Sequence, residues 1–223
     1  AEREPNKAFL VNAIGIKNLA VYCQKKNIVF VHISTDYVFG LDPERKKPYD
    51  ESDCPGPANA YGISKLAGEY FVQYICKNYF IIRSSGLFGT AQSSEKGYNF
   101  IELMLRLAKE KGEVRVVNDQ ITTPTYTLHL ASQILIVIKH APFGLYHATA
   151  NGQCSHYEFA EEIFRLTNQS VNLKAVSSQE FQAAAKRPNY SVLANKKLGK
   201  LGLDKMRHWQ DGLKNYLKEK RYI

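Results

Sequence analysis

Apolar positions along the chain fall into two spacings. Near the start, Ala8, Leu10, Val11, Ala13, Ile14, Ile16, Leu19, Ala20 and Tyr22 recur at helical intervals. They predict a helix that buries much of its surface. Residues 28–33, Ile-Val-Phe-Val-His-Ile, then run almost continuously apolar, as a parallel strand covered on both faces does. This run leads into Ser34-Thr35-Asp36-Tyr37-Val38-Phe39-Gly40. Residues 41–58 are rich in Asp, Glu, Lys, Arg and Pro and read as a surface loop. Pro57 and Asn59 mark a helix start, and Leu66, Ala67, Phe71, Val72 and Ile75 carry the helical pattern on. A second buried strand is expected at Asn78-Tyr-Phe-Ile-Ile-Arg83, ending in Ser84-Ser85-Gly86-Leu87-Phe88-Gly89.

Further along, residues 90–97 read as a polar loop and 98–111 as a helix opened by Asn99 and Phe100. Glu113–Val117 is a short strand leading into Asn118-Asp119-Gln120-Ile121-Thr122-Thr123-Pro124-Thr125. The next helix is expected from Leu128 to Lys139, with Leu130, Ile134, Leu135 and Ile138 facing inward and Thr125 or Thr127 as a cap. Gly144–Ala148 reads as a strand. Ser155 and Glu158 have capping-box spacing ahead of Phe159, Ile163 and Leu166. Residues 177–185 suggest one more short helix. Trp209, Leu213 and Leu217 form a closing stripe for core or interface packing.

The chemistry concentrates at Tyr61 and Lys65, four residues apart and so on one helix face. A free tyrosine, with a pKa of about 10, exchanges protons poorly near neutrality. A neighbouring cation favours the phenolate and lowers that value. Tuned this way, a tyrosine can trade a proton with an alcohol or carbonyl oxygen. An ordinary surface Tyr–Lys pair is the plainer reading of the same spacing. Thr35 shifts the balance, because small hydroxyls at the carboxyl end of a parallel strand lie where open α/β sheets bind ligands. Thr35 could hold the oxygen that Tyr61 protonates.

Composition narrows the classes. The 223 residues are 44% hydrophobic and 23% charged, which fits a packed globule. No stretch reaches the roughly 18 apolar residues of a membrane span, and no signal peptide opens the chain, so no membrane partner is expected. Cys23, Cys54, Cys76 and Cys154 are scattered without a C-x-x-C pair, which argues against zinc or a disulfide framework and for a reduced, cytoplasmic setting. The net charge of +9 comes with no nucleic-acid motif, and so reads mainly as a solvated basic surface. Part of that field would favour a diphosphate-bearing substrate.

Ser34-Thr35-Asp36-Tyr37-Val38-Phe39, Pro48-Tyr49-Asp50-Glu51 and Tyr61-Gly62-Ile63-Ser64-Lys65-Leu66-Ala67-Gly68-Glu69 together resemble the extended short-chain dehydrogenase/reductase superfamily. Within it they are most similar to the dTDP-4-dehydrorhamnose reductase family, and the resemblance runs nearly end to end. It implies an α/β fold, a Rossmann-like doubly wound parallel sheet with a smaller C-terminal α/β substrate domain. Residues 1–90 and 112–141 would belong to the dinucleotide-binding part, and 91–111 and 142–223 to the sugar-nucleotide part. The implied reaction is NADPH- or NADH-dependent reduction of the C4 keto group of dTDP-4-dehydro-6-deoxy-L-mannose. Tyr61 would be the proton donor, Thr35 would hydrogen-bond the same oxygen, and Lys65 would lower the Tyr61 pKa and hold the nicotinamide ribose.

By the same resemblance, Ser34, Tyr61, Lys65, Ser84 and Ser85 are candidate cofactor contacts, with ordinary turn chemistry the alternative for the two later serines. Thr35, Asp36, Tyr37, Asn99, Phe100, Gln120, Thr123 and Arg187 are candidate substrate contacts. Phe100 could equally be core. Arg187, in Lys186-Arg187-Pro188-Asn189-Tyr190-Ser191-Val192-Leu193, could serve diphosphate oxygens or a surface salt bridge. The superfamily's dehydratases carry Asp-Glu after the threonine, whereas Asp36 here is followed by Tyr37, which favours a reductase. A related epimerase or reductase, or a non-catalytic subunit, stays open, as does a homodimer. The resemblance also implies a G-x-x-G-x-x-G loop and βα units ahead of Ala1, on the order of 60 residues. Without that pyrophosphate loop, these 223 residues alone are expected to bind a dinucleotide poorly.

Overall fold

A computed structural model of the chain describes residues 1–91, 97–181 and 185–223. The chain opens with helix α1 (Pro5–Phe9), a π-helical segment (Leu10–Gly15) and α2 (Ile16–Lys25), which run on as one rod. Strand β1 (Phe30–Thr35), a 3-10 turn (Asp36–Val38), α3 (Ala60–Ile75) and β2 (Tyr79–Ser84) follow, then β3 (Leu87–Phe88), α4 (Phe100–Lys111) and β4 (Glu113–Val117). Next come β5 (Ile121–Thr122), β6 (Thr125–Tyr126), α5 (Thr127–His140) and β7 (Gly144–His147). The chain ends with β8 (Cys154–Ser155), α6 (His156–Leu166), β9 (Asn172–Val176), α7 (Ser178–Phe181), α8 (Lys196–Lys200) and α9 (Trp209–Glu219).

The parallel strands β1, β2 and β7 lie side by side in that order, with Thr35 opposite Ser84 and Arg83 opposite His147. Three two-stranded pieces accompany them: β3 with β6 and β4 with β9, both parallel, and β5 antiparallel to β8. The largest apolar cluster gathers α4, α6, α9 and β4 around Phe88, Ile101, Phe159, Trp209 and Leu213. A second joins β2 and β7 to α5 and α8 through Phe80, Ile82, Leu130, Tyr146 and Leu198. A third ties the 3-10 turn to the returning C-terminal segment through Val38, Phe39, Tyr49, Tyr190 and Leu193. There the loop over 41–58 turns inward, because Tyr49 stacks on Phe39 at 4.1 Å between ring centroids and its backbone pairs with Val192 and Ala194.

Three expectations need correction. The N-terminal rod buries only Ala13 and Ala20, while Leu10, Val11, Leu19 and Tyr22 are more than half exposed. A rod resting on α3 covers a single stripe of its surface. Strand β1 begins at Phe30, two residues later than expected; Ile28, Val29 and Ile33 are exposed, and among the described residues its far edge is unpaired. On α5, Leu130 and Ile134 pack inward, but Leu135 and Ile138 face out. The buried stripe runs through Leu130, Gln133 and Val137. Gln133 belongs in it because its amide donates to Leu203 O at 3.0 Å and accepts from Lys205 N at 2.8 Å.

Tyr126 precedes α5 without a side-chain cap, so neither candidate threonine caps it. Thr125 instead accepts from Ala150 N. The capping box at Ser155 and Glu158 forms as its spacing implied. Of the expected helix over 177–185, α7 is its described part, and 182–184 lie outside the described residues. Residues 92–96 of the expected polar loop also lie outside them.

Candidate active site

Helix α3 and strand β1 meet at a close backbone approach. Asn59 caps α3 by accepting from Gly62 N at 2.8 Å, which fixes where the first turn points. A Cβ on Gly62 would stand 2.0 Å from Tyr37 O, so only glycine lets the helix lie directly on the 3-10 turn. Tyr61 and Lys65 are thereby carried to the end of β1. Deeper in the helix, Glu69 accepts from Arg83 Nε at 2.9 Å and from Nη2 at 2.6 Å, and both side chains are almost wholly buried. This pair fastens α3 to β2.

A cavity of about 410 Å³ opens there, lined by Ile33, Ser34, Thr35, Asp36, Tyr37, Tyr61, Lys65, Ser84, Gly86 and Leu87. That volume suits part of a small ligand. Lys65 donates to Ile33 O at 2.6 Å, and burial lowers its pKa. Burial raises the Tyr61 pKa, and the Asp36 charge raises it further. The expected lowering by Lys65 is therefore corrected. Burial outweighs the carboxylate at the phenol, and the Lys65 ammonium, bonded to one β1 carbonyl, keeps its charge and two further N–H donors. The Tyr37 and Tyr61 rings meet edge to face at 6.1 Å.

Behind the tyrosine, Thr35 donates its hydroxyl proton to Asp36 Oδ1 at 3.1 Å and accepts from Tyr37 N at 3.2 Å. Ser85 donates to Asp36 Oδ2 at 3.0 Å. Burial raises the Asp36 pKa to about 6, against hydrogen bonds from Ser191, Ser85 and Thr35 that lower it. Ser34 Oγ is buried without a hydrogen-bond partner. A second, smaller cavity of about 70 Å³ lies beyond Asp36, lined by Asp36, Tyr37, Gly86, Gln120, Ile121, Thr122, His156, Pro188 and Ser191. Gly86 stands between the two at φ +55, with Thr123 O 2.8 Å from where a Cβ would sit.

Thr35, Tyr61, Lys65, Ser34, Asp36, Tyr37 and Ser84 thus share one cavity, and Gln120 lines the other. The Ser84 hydroxyl is already given to Ala148 O, and Ser85 lies behind the wall on Asp36 and Thr122. Arg187 is exposed and makes no salt bridge among the described residues; burial raises the Tyr37 pKa against the Arg187 charge, and burial lowers the His156 pKa with that charge adding to it.

Asn99, Phe100 and Thr123 line neither cavity. Asn99 caps α4 and donates to Gly89 O and Tyr216 Oη. Phe100 stacks on Phe159, and Thr123 is fully buried with its hydroxyl on Gly152 O. In this structure the three serve packing and capping. Sequence reasoning missed His156, whose Nδ1 is buried without a partner and whose pKa is lowered by burial. It also missed Ser191, although both lay inside stretches singled out for other reasons. A lone histidine at a helix start carries no signal of its own.

An open parallel sheet, with a Tyr–Lys helix laid across the carboxyl end of a strand, defines a Rossmann-like α/β protein of the short-chain dehydrogenase/reductase class. Residues 1–222 match the family described as the RmlD substrate binding domain, and the chain belongs to that family. It is 39% identical to the spore coat polysaccharide biosynthesis protein SpsK of Bacillus subtilis (strain 168), over 98% of this chain and 74% of that one. It is 37% identical to a dTDP-4-keto-6-deoxy-D-glucose reductase of Streptomyces niveus, over 96% of this chain and 72% of the other. The crystal structure of dTDP-4-dehydrorhamnose reductase from Bacillus anthracis str. Ames in complex with NADP superposes with a TM-score of 0.92 at 43% identity. That match covers 98% of this chain and 75% of the other.

Proposed function

We propose that the protein reduces the C4 keto group of a dTDP-linked 6-deoxy sugar, dTDP-4-dehydro-6-deoxy-L-mannose, with NADPH or NADH as reductant. The observation that carries this reading is one cavity shared by Thr35, Tyr61 and Lys65 at the end of a parallel strand. The reductase names and the bound NADP of the relatives support the substrate class and the cofactor. The larger cavity fits the nicotinamide end of such a cofactor, because Ser34 Oγ is a buried polar atom still lacking a partner. Ser34 and Lys65 would hold that end. When bound, the reduced nicotinamide supplies the hydride.

The chain's own residues handle the proton. A raised pKa keeps Tyr61 a neutral phenol at pH 7, and so a loaded donor for the oxygen that becomes an alkoxide. Thr35 can turn its proton toward that oxygen only by releasing Asp36. In the same reading, residues 1–90 and 112–141 carry the dinucleotide, and 91–111 with 142–223 carry the sugar nucleotide. Gln120 and Arg187 would meet the substrate. All four cysteines are free thiols, which supports a reducing, cytoplasmic setting.

The test is Tyr61→Phe in the full-length protein, followed by NADPH absorbance and product identification. Turnover should fall on the order of 10²-fold or more, with cofactor affinity within about twofold. Near-normal turnover would remove Tyr61 from the chemistry. Parallel assays with the D-gluco isomer decide between the substrates named in the two groups of relatives.

A further inference from the structure

Asn59 makes two hydrogen bonds with opposite ends of one amide. Its Oδ1 accepts from Gly62 N at 2.8 Å, and its Nδ2 donates to Lys186 O at 2.9 Å. An N–H on one side and a carbonyl on the other admit a single orientation of that amide. The side chain is only 5% exposed, so water does not readily stand in for either partner. Capping of α3 accounts for the oxygen. It does not account for the nitrogen, which reaches across 127 positions of chain to the segment that holds Arg187.

That segment is held unevenly. On its far side the backbone is pinned, because Ile121 N donates to Asn189 O at 2.8 Å, Ser191 N to Ile121 O at 2.9 Å and Tyr49 N to Val192 O at 2.9 Å. Residues 186–188 have no such ladder among the described residues, and the Asn59 amide is the hydrogen bond that holds them there. Pro188 lies against Gly40, where a Cβ would stand 2.8 Å from its Cγ, and it also lines the smaller cavity. Arg187 is exposed beside it, and its charge reaches Tyr37 and His156, which line the same cavity.

We propose that Asn59 is a positioning residue that sets two parts of the site with one amide. Its oxygen fixes the Tyr61 helix, and its nitrogen fixes Arg187 at the mouth of the smaller cavity, where the guanidinium takes the diphosphate oxygens of the sugar nucleotide. The proposal rests on the reductase reading and adds the residue that places the arginine. Asp36 lines the cavity itself, so an anionic group is better placed at the rim beside Arg187 than inside. A guanidinium on a loose segment would have to be ordered at each binding event, and the Asn59 bond removes most of that entropy loss in advance.

The test uses the full-length protein. Asn59→Ser keeps an oxygen that caps α3 and removes the donor to Lys186 O. The KM for the sugar nucleotide should rise roughly tenfold while kcat and the NADPH Kd stay within about twofold, the signature of binding lost equally from ground and transition states. Arg187→Ala should give the same split. The double variant should match Arg187→Ala alone, because the clamp acts only through that arginine. Binding of dTDP, followed by calorimetry without turnover, should weaken by a similar factor in all three. An unchanged KM in Asn59→Ser, as a mere cap would give, or losses that multiply in the double variant, overturn the proposal.

Hydrogen exchange separates this from a failure of the reductase reading. Asn59→Ser should speed exchange at residues 185–189 and leave 61–69 near wild type. A protein that reduces no dTDP-linked keto sugar and binds no dTDP defeats the reading, and the ligand assigned to Arg187 with it. Unchanged exchange at 185–189 defeats the clamp itself. Should Asn59→Ser not fold, Asn59→Asp, which also keeps the acceptor and loses the donor, is read by the same measurements.

Discussion

Replacing Glu69 by Gln should cost about 3 kcal/mol of folding stability. Glu69 stands one turn beyond Lys65, and its carboxylate takes Arg83 Nε at 2.9 and 3.2 Å and Nη2 at 2.6 Å. The side chains are 0% and 4% exposed, so water cannot replace a lost partner. Removing one member of such a pair leaves a buried charge uncompensated, which typically costs about 3–5 kcal/mol. The amide oxygen can still accept one hydrogen bond, and the Arg83 guanidinium keeps its place over the Phe39 ring at 5.2 Å. Those two residual contacts put the expectation at the lower end. Against a total of about 5–15 kcal/mol for a domain, the loss is large.

Urea unfolding, with the midpoint read at constant m-value, measures it. Arg83→Met should cost as much by orphaning the carboxylate. The apolar pair Glu69→Leu with Arg83→Met should recover most of either loss, because both charges are then gone. A Glu69→Gln protein within about 1 kcal/mol of wild type would refute the claim that this pair pins α3 to the sheet.

Gly62→Ala drives a Cβ to 2.0 Å from Tyr37 O, so stability should drop by about 1–3 kcal/mol and turnover with it. A wild-type urea midpoint would mean that the helix does not lie so close to the turn. Acid should unfold the protein, because His32 and His147 are buried neutral with pKa values of about 3, below the ordinary 6.5. The unfolded chain takes those protons first, so stability falls as pH drops below about 6.5. Asp36, raised to about 6, works in the opposite direction between about pH 6 and 4. Two histidines against one carboxyl leave a net loss of at least about 1.4 kcal/mol per pH unit in that window, to which the lowered pKa values of His129 and His156 add, readable by urea unfolding at several pH values. A flat profile there would contradict the burial of both rings. Ser155→Ala removes the cap of α6 and should cost about 1 kcal/mol in thermal unfolding, with no change expected in turnover.

What could be read from residue order was whatever depends on neighbours in the chain. The Asn59 cap, the four-residue step from Tyr61 to Lys65, the Ser155 and Glu158 box and the Trp209 stripe are local, and all four form as spacing implied. Where tertiary partners decide burial, the reading slipped. Leu135 looked as good an inward residue as Gln133, because nothing in the chain announces that Leu203 and Lys205 will satisfy the glutamine amide. Asn99 caps its helix through Glu102 N as a residue at that position can, but only the fold shows that its amide nitrogen also reaches Gly89 O and Tyr216 Oη.

The sequence by itself determined that a phenol and an ammonium would share a helix face, and that a threonine and an aspartate would end the strand before it. Tertiary structure alone decided the electrostatics. It sent the Lys65 ammonium to a carbonyl of β1 and buried Asp36 behind Thr35. It thereby made a carboxylate, rather than a lysine, the dominant charge felt by Tyr61. Charge interactions depend on distance and burial in three dimensions, and neither is written in the spacing of residues along a chain.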